Sequence, residues 1–179
     1  MRIIAGAARG RKLISPEGSL VRPTLDRVKE SVFNMLTGFV ADAAVLDLFA
    51  GSGALGIEAL SRGAVHAVFV DKSSSSLDTV QKNLNLAHFE EKASLVLSDF
   101  TAYLNRCAEK FNIIFLDPPY AAGFLELALK AIHENGILAP GGLIVCELDS
   151  TDEVICPREY TLYRNKKYGK ARILIMKEL

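Results

Sequence analysis

From Ala44 onward the chain repeats one pattern: a short, mostly apolar run, then a stretch whose apolar side chains recur at helical spacing. The runs Ala44–Phe49, Ala67–Val70, Ser94–Leu97, Ile113–Leu116 and Leu143–Leu148 predict strands. Between them, Leu55–Arg62, Ser74–Leu86, Thr101–Cys107 and Phe124–His133 predict helices. The strands are apolar on both faces, as expected when helices cover a parallel sheet from both sides, so the fold class is doubly wound, Rossmann-like α/β. The rhythm changes after Leu148. Two strand-like runs between Tyr160 and Met176, joined by the polar link Asn165–Lys170, predict an antiparallel hairpin that ends the sheet. At the other end, Ile3–Ala5 and Lys12–Ile14 flank a small turn and predict a short hairpin. Thr24 is placed to cap a helix with apolar face Leu25, Val28, Val32, Met35 and Leu36, ending at Gly38. Nothing divides the chain, which is expected to be one domain over 1–179, with 1–40 as an extension on a 41–179 core.

Composition narrows the class. The longest apolar stretch, Gly136–Cys146, is 11 residues and contains Pro140 and three glycines, far short of the roughly 20 a membrane span needs. Only six residues separate Arg2 from Arg9, too few for the apolar region of a secretory signal, so a cytoplasmic protein is expected. Cys107, Cys146 and Cys156 have neither disulfide-framework nor CxxC spacing, and His66, His88 and His133 are scattered, so no metal site is expected. The net charge of zero conceals an asymmetry. Residues 1–30 carry seven basic and three acidic side chains, residues 151–179 seven and four, and the middle seven and fourteen. Brought together, the two basic ends would form a polyanion-binding face; kept apart, they would merely solvate the surface.

Chemistry begins at Asp47-Leu48-Phe49-Ala50-Gly51-Ser52-Gly53-Ala54-Leu55-Gly56, a GxGxxG between a predicted strand and helix, with Asp71 20 residues after Gly51. Glycines let the backbone turn sharply beside a ligand, the helix start offers N–H groups, and an acid ending the next strand can accept from ribose hydroxyls. Dinucleotides and S-adenosylmethionine both fit that geometry. Asp47 favours the second: a carboxylate there would crowd a pyrophosphate but attracts the ammonium of a methionine moiety. Phe49, Ser52, Gly53, Lys72, Asp99 and Phe100 complete the candidate cofactor set. Asp99 stands where an adenine amine is expected, with Phe100 beside the ring; it equally suits a helix cap.

Asp117-Pro118-Pro119-Tyr120 follows the fourth predicted strand, at the carboxyl edge where such sheets bind ligands. An exocyclic base amine is a poor nucleophile because its lone pair is delocalised. The Asp117 carboxylate and Pro118 carbonyl can hold both amine hydrogens and leave the lone pair aimed at an electrophilic methyl. Tyr120 can stack on the extruded base.

With these two motifs the sequence resembles the S-adenosylmethionine-dependent amino-group methyltransferases. Arg2-Ile3-Ile4-Ala5-Gly6, Arg9-Gly10-Arg11-Lys12-Leu13, the stretch from Arg22 to Glu30 and Phe33-Asn34 narrow the resemblance to the bacterial RsmD family, which methylates N2 of one guanine in 16S rRNA. The resemblance implies cofactor binding at Asp47, Gly51, Gly53, Asp71 and Asp99, and catalysis at Asp117, Pro118, Pro119 and Tyr120. It also implies a helix carrying Arg22, Thr24 and Arg27 over the pocket. Arg2, Arg9, Arg11, Lys12, Arg22, Arg27, Lys166, Lys167 and Lys170 are the candidate contacts to 16S rRNA, free or within the small ribosomal subunit. Asp71 departs from the family's commoner Glu, and Lys170-Ala171 from its usual continuation after Tyr168-Gly169. Three alternatives remain: an adenine N6 DNA methyltransferase or another RNA amino-methyltransferase, a nicotinamide-dependent oxidoreductase that leaves Asp117–Tyr120 without a role, and a non-catalytic RNA-binding module that uses only the charged ends.

Overall fold

Each of the first five strands ends where an acid or a glycine-rich turn interrupts an apolar run, and each is followed by a segment that crosses back over the sheet. The computed structural model describes residues 1–15, 23–118, 123–154 and 156–179, with residues 23–25 described by their backbone. Helix α1 is Pro23–Met35; then follow β1 Ala44–Asp47, α2 Ala54–Ser61, β2 His66–Asp71, α3 Ser74–Ala87, β3 Ala93–Leu97 and α4 Phe100–Leu104. The chain continues with β4 Phe111–Leu116, α5 Phe124–Glu134, β5 Leu138–Asp149, β6 Tyr160–Tyr168 and β7 Ala171–Glu178.

Among the described residues seven strands form one sheet in the order β3-β2-β1-β4-β5-β7-β6. The first five run parallel and β7 is antiparallel to both neighbours. The chain leaves β1 toward β2 and β3, then returns to add β4 on the other side of β1. This reversal opens a crevice at the carboxyl ends of β1 and β4, the usual ligand site of doubly wound sheets. Apolar side chains of α1, α2 and α3 cover one face, those of α4 and α5 the other.

Several boundaries differ from the sequence reading. Helix α1 begins at Pro23, so Thr24 lies inside its first turn; proline, with its fixed φ and no N–H, suits that opening position. The helix ends at Met35, short of Gly38; its buried face is Val28, Val32 and Phe33, continued by Leu36 just past its end, with Met35 only half-buried. Helix α4 stops at Leu104, three residues before Cys107. Strand β5 starts at Leu138, and a register shift opposite Phe111 and Ile113 absorbs Pro140 and Gly141. Asn165–Tyr168 belongs to β6, leaving only Gly169 and Lys170 as the turn. As an edge strand β6 tolerates lysines on its open side, which also discourage pairing with another sheet.

The N-terminal hairpin has a single bridge, Arg2 to Lys12. Its position is set by α2: Ile4 and Ala5 N–H donate to the Glu58 carboxylate at 2.8 and 3.1 Å, and Ala8 N–H to Ser61 Oγ at 3.0 Å. Arg11 donates to the Leu86 carbonyl at the end of α3 (2.8 Å). Arg11 and the lysines of β6 therefore lie on opposite sides of the sheet. From β2, against which α3 packs, to β6 is five strand spacings, roughly 24 Å at about 4.8 Å each.

Candidate active site

The tight connection from β1 to α2 depends on two glycines. Gly53 caps α2 at φ 77°, a left-handed conformation unfavourable for other residues, and a Cβ on Gly56 would lie 2.3 Å from Phe69 Cε1. The loop is tied from three sides. Asp71 accepts from Gly51 N–H (2.9 Å) and Ser73 N–H (2.9 Å), Asp47 accepts from Gly56 N–H (3.1 Å), and Asn83 donates to the Ser52 carbonyl (2.9 Å). Asn83 also exchanges hydrogen bonds with the backbone of Ile14, joining the hairpin to the loop.

Above this loop, at the β1/β4 reversal, lies a cavity of about 270 Å³. Asp47, Phe49, Gly51 and Ser52 line it from β1 and the loop, Asp117 from the end of β4, Glu147 from β5, and Val28, Lys29 and Val32 from α1. Three carboxylates at the strand ends thus share one small space, and a fourth, Asp26, reaches it from α1 with Arg2 3.6 Å away. Asp47 is 3% exposed; desolvation, opposed by its Gly56 hydrogen bond and reinforced by the charges of Asp117 and Asp71, pushes it up to about 7. Asp117 reaches solvent at the mouth, yet the packed strand ends around it withdraw enough water to push it up to about 6. Burial, then the facing charge of Asp117, pushes Glu147 up to about 7. A site so rich in carboxylates favours a cationic ligand and disfavours a pyrophosphate.

The remaining candidate cofactor residues lie outside the cavity lining. Both Asp71 oxygens already hold backbone N–H groups of the glycine loop and its own turn, each with a lone pair to spare. Asp99 caps α4, accepting from Thr101 and Ala102 N–H and from the Thr101 hydroxyl, which holds its carboxyl low. Phe100 is packed between Phe49 at 5.1 Å and Phe124 at 5.5 Å, so Phe49 is the member of that aromatic row facing the cavity. Lys72 is exposed near Asp99. Pro118 is half-buried; Pro119, Tyr120 and Arg22 lie outside the described residues, as do the side chains of Thr24 and Leu25.

Arg2, Arg9 and Arg27 line a second hollow of about 660 Å³ together with Arg62, Asp26 and Glu30, on the outer side of α1 and the hairpin. Arg2 is 3.6 Å from Asp26. Lys12 is exposed beside the hairpin, while Lys166, Lys167 and Lys170 are exposed on the far edge of the sheet. Among the described residues no cluster of His, Cys, Asp and Glu has the arrangement of a metal site. No described helix is long and apolar enough to cross a membrane.

Two features went unread in the sequence. Glu147 follows the apolar run Leu143–Cys146 as Asp47 and Asp117 follow theirs, and that shared signature could have identified it. The other is the ion pair holding α1 over the cavity. Lys29 Nζ lies 3.3 Å from Glu58 and donates to the Arg2 carbonyl at 2.6 Å, while Arg62 donates to Glu58 at 2.7 Å. Burial lowers the Lys29 pKa, with Glu58 opposing. No local pattern announces a partner so distant in the chain.

The family model described as Conserved hypothetical protein 95 matches residues 1–177. YlbH of Bacillus subtilis is 40% identical over 184 residues, covering 99% of both chains. Ribosomal RNA small subunit methyltransferase D of Escherichia coli strain K12 is 39% identical over 171 residues, covering 95% of this chain and 86% of that one. The solved structure of Escherichia coli yhhF superposes with a TM-score of 0.89 at 38% identity, covering 99% of this chain and 97% of the other.

Proposed function

The chain belongs to the Conserved hypothetical protein 95 family, and we propose that it transfers a methyl group from S-adenosylmethionine to the N2 amine of a guanine in 16S rRNA. The observation that carries this reading is the meeting of Asp47 and Asp117 in one cavity at the β1/β4 reversal. The cavity suits a cationic cofactor. Among the described residues buried Asp47 accepts one hydrogen bond, from Gly56 N–H, so its carboxylate retains the capacity to take an ammonium. Gly51 and Ser52 supply the loop backbone, Phe49 an apolar wall, and Asp71 the fixed position of Gly51.

When bound, S-adenosylmethionine supplies a methyl carbon on a sulfonium, which departs as a neutral thioether. The chain's own work is positioning and charge. Asp117 and the Pro118 carbonyl accept the amine hydrogens, holding the nitrogen with its lone pair free. Positive charge develops on that nitrogen as the new bond forms, and the Asp117 carboxylate stabilises it more in the transition state than before. With its pKa pushed up to about 6, Asp117 can also take the proton the methylated nitrogen releases. No metal or covalent enzyme intermediate enters. Arg2, Arg9 and Arg27 engage the RNA backbone on one side of the mouth, Lys166, Lys167 and Lys170 on the other. The enzyme is expected to act in the cytoplasm, where its substrate is made.

The same carboxylate-rich lining argues against a nicotinamide dinucleotide, whose pyrophosphate would face Asp47. Incubating the protein with methyl-labelled cofactor and 16S rRNA from cells lacking the activity, free and in small subunits, tests the proposal. Label recovered as N2-methylguanosine supports it, and label in N6-methyladenosine alone would replace the substrate.

A further inference from the structure

Glu147 has no place in the mechanism above, yet it shares the catalytic cavity. The parallel register that pairs Leu116 with Cys146 sets the next residues, Asp117 and Glu147, side by side across β4 and β5. Both lie on the α1 face of the sheet, since Leu116 and Cys146 point to the opposite core and Ile173, paired with Glu147 on β7, lines the same cavity. Among the described residues neither carboxylate accepts a hydrogen bond or pairs with a lysine or arginine. Asp117 reaches solvent and Glu147 is half-buried, so both carboxylates lie open to the cavity with acceptor capacity for donors on a ligand.

Guanine presents two neighbouring donors on its Watson–Crick edge, the N1–H and the N2 amine. Adenine presents a ring acceptor beside its amine, and a carboxylate facing that acceptor would be repelled. Resting on the guanine N2 reading above, we propose that Glu147 accepts the N1–H of the target guanine while Asp117 holds its N2 amine, so that the two acids together select guanine. Selectivity of this kind is strong because the wrong base leaves a desolvated carboxylate unpaired.

The test uses 2-aminopurine, which keeps the N2 amine but has an unprotonated N1. Once the methylated guanine is mapped, 16S rRNA is assembled by ligation with either guanine or 2-aminopurine at that position, and single-turnover rates are compared at pH 8.5, where Glu147, pushed up to about 7, is ionised. Wild type is expected to prefer guanine by roughly 10- to 100-fold, the worth of one hydrogen bond to a charged acceptor. 2-Aminopurine also lacks O6, so the variants isolate the Glu147 share. Glu147→Gln can donate its amide to N1 of 2-aminopurine, and the preference should fall to a few-fold; Glu147→Ala should lose it as well, both measured at saturating cofactor. An undiminished preference in either variant, with guanine still methylated, overturns the inference and leaves the proposed function standing. A wild type that forms no N2-methylguanosine overturns the proposed function itself.

Discussion

Asp47 is a carboxylate the fold has stripped of water without giving it a countercharge, and cofactor binding should therefore depend on pH. Its carboxyl is pushed up to about 7 in the free protein, whereas an ammonium ligand requires the ionised form. Below that pKa each pH unit costs about tenfold in affinity, so binding at pH 5.5 should be roughly 30-fold weaker than at pH 8.5. Asp47→Asn should bind roughly 10- to 100-fold more weakly at pH 8.5 and lose most of this dependence. Stability carries the opposite sign. The folded state binds more protons than the unfolded chain between pH 3.8 and about 7, so ligand-free protein loses stability as pH rises through that window. The full effect for this 3% exposed group is on the order of 4 kcal/mol, and ligand should recover much of it at high pH. Calorimetric titration with S-adenosylhomocysteine from pH 5.5 to 8.5, with thermal melts alongside, measures both. Wild-type affinity that is flat across this range, or an Asn variant with the same slope, would refute the role given to Asp47.

Glu58→Ala should destabilise the fold by about 3–5 kcal/mol, because it strands the buried Lys29 ammonium. For a chain of 179 residues that is a fall in Tm of roughly 6–20 °C by calorimetry, and adding Lys29→Met should recover part of it. Replacing Arg2, Arg9 and Arg27 together by alanine should weaken RNA binding and reduce its salt slope by about 2, measured by filter binding across salt concentrations. Lys166→Ala with Lys167→Ala should weaken binding additively, given the separation of the two edges. Unchanged slopes in both sets would return these residues to plain solvated surface.

The doubly wound core was legible because its strands are short apolar runs closed by acids or glycines, and its helices show a single apolar face. The cavity was legible for the same reason: Asp47 and Asp117 end such runs on strands that the sheet makes neighbours. Asp99 shows where local reading stops. An aspartate before a helix serves equally as a cap or as a ligand group, and here its bonds go to Thr101 and Ala102. Asn165–Tyr168 was misread because polarity indicates solvent, and an edge strand meets solvent as a turn does. The Lys29–Glu58 pair and the Asn83 link join segments far apart in the chain, which periodicity does not address. The separation of Arg11 from the β6 lysines likewise follows from strand order, not from charge.

The central claim is that Asp117 acts on the amine in the transition state. Single-turnover methylation of 16S rRNA by Asp117→Ala, with mass spectrometry of the product nucleoside, tests it most directly. Losing a charge-assisted acceptor there should cost on the order of 3 kcal/mol, about a hundredfold in rate, with cofactor and RNA affinity nearly unchanged and Asp117→Asn falling between alanine and wild type. Turnover by Asp117→Ala at close to the wild-type rate would contradict the account.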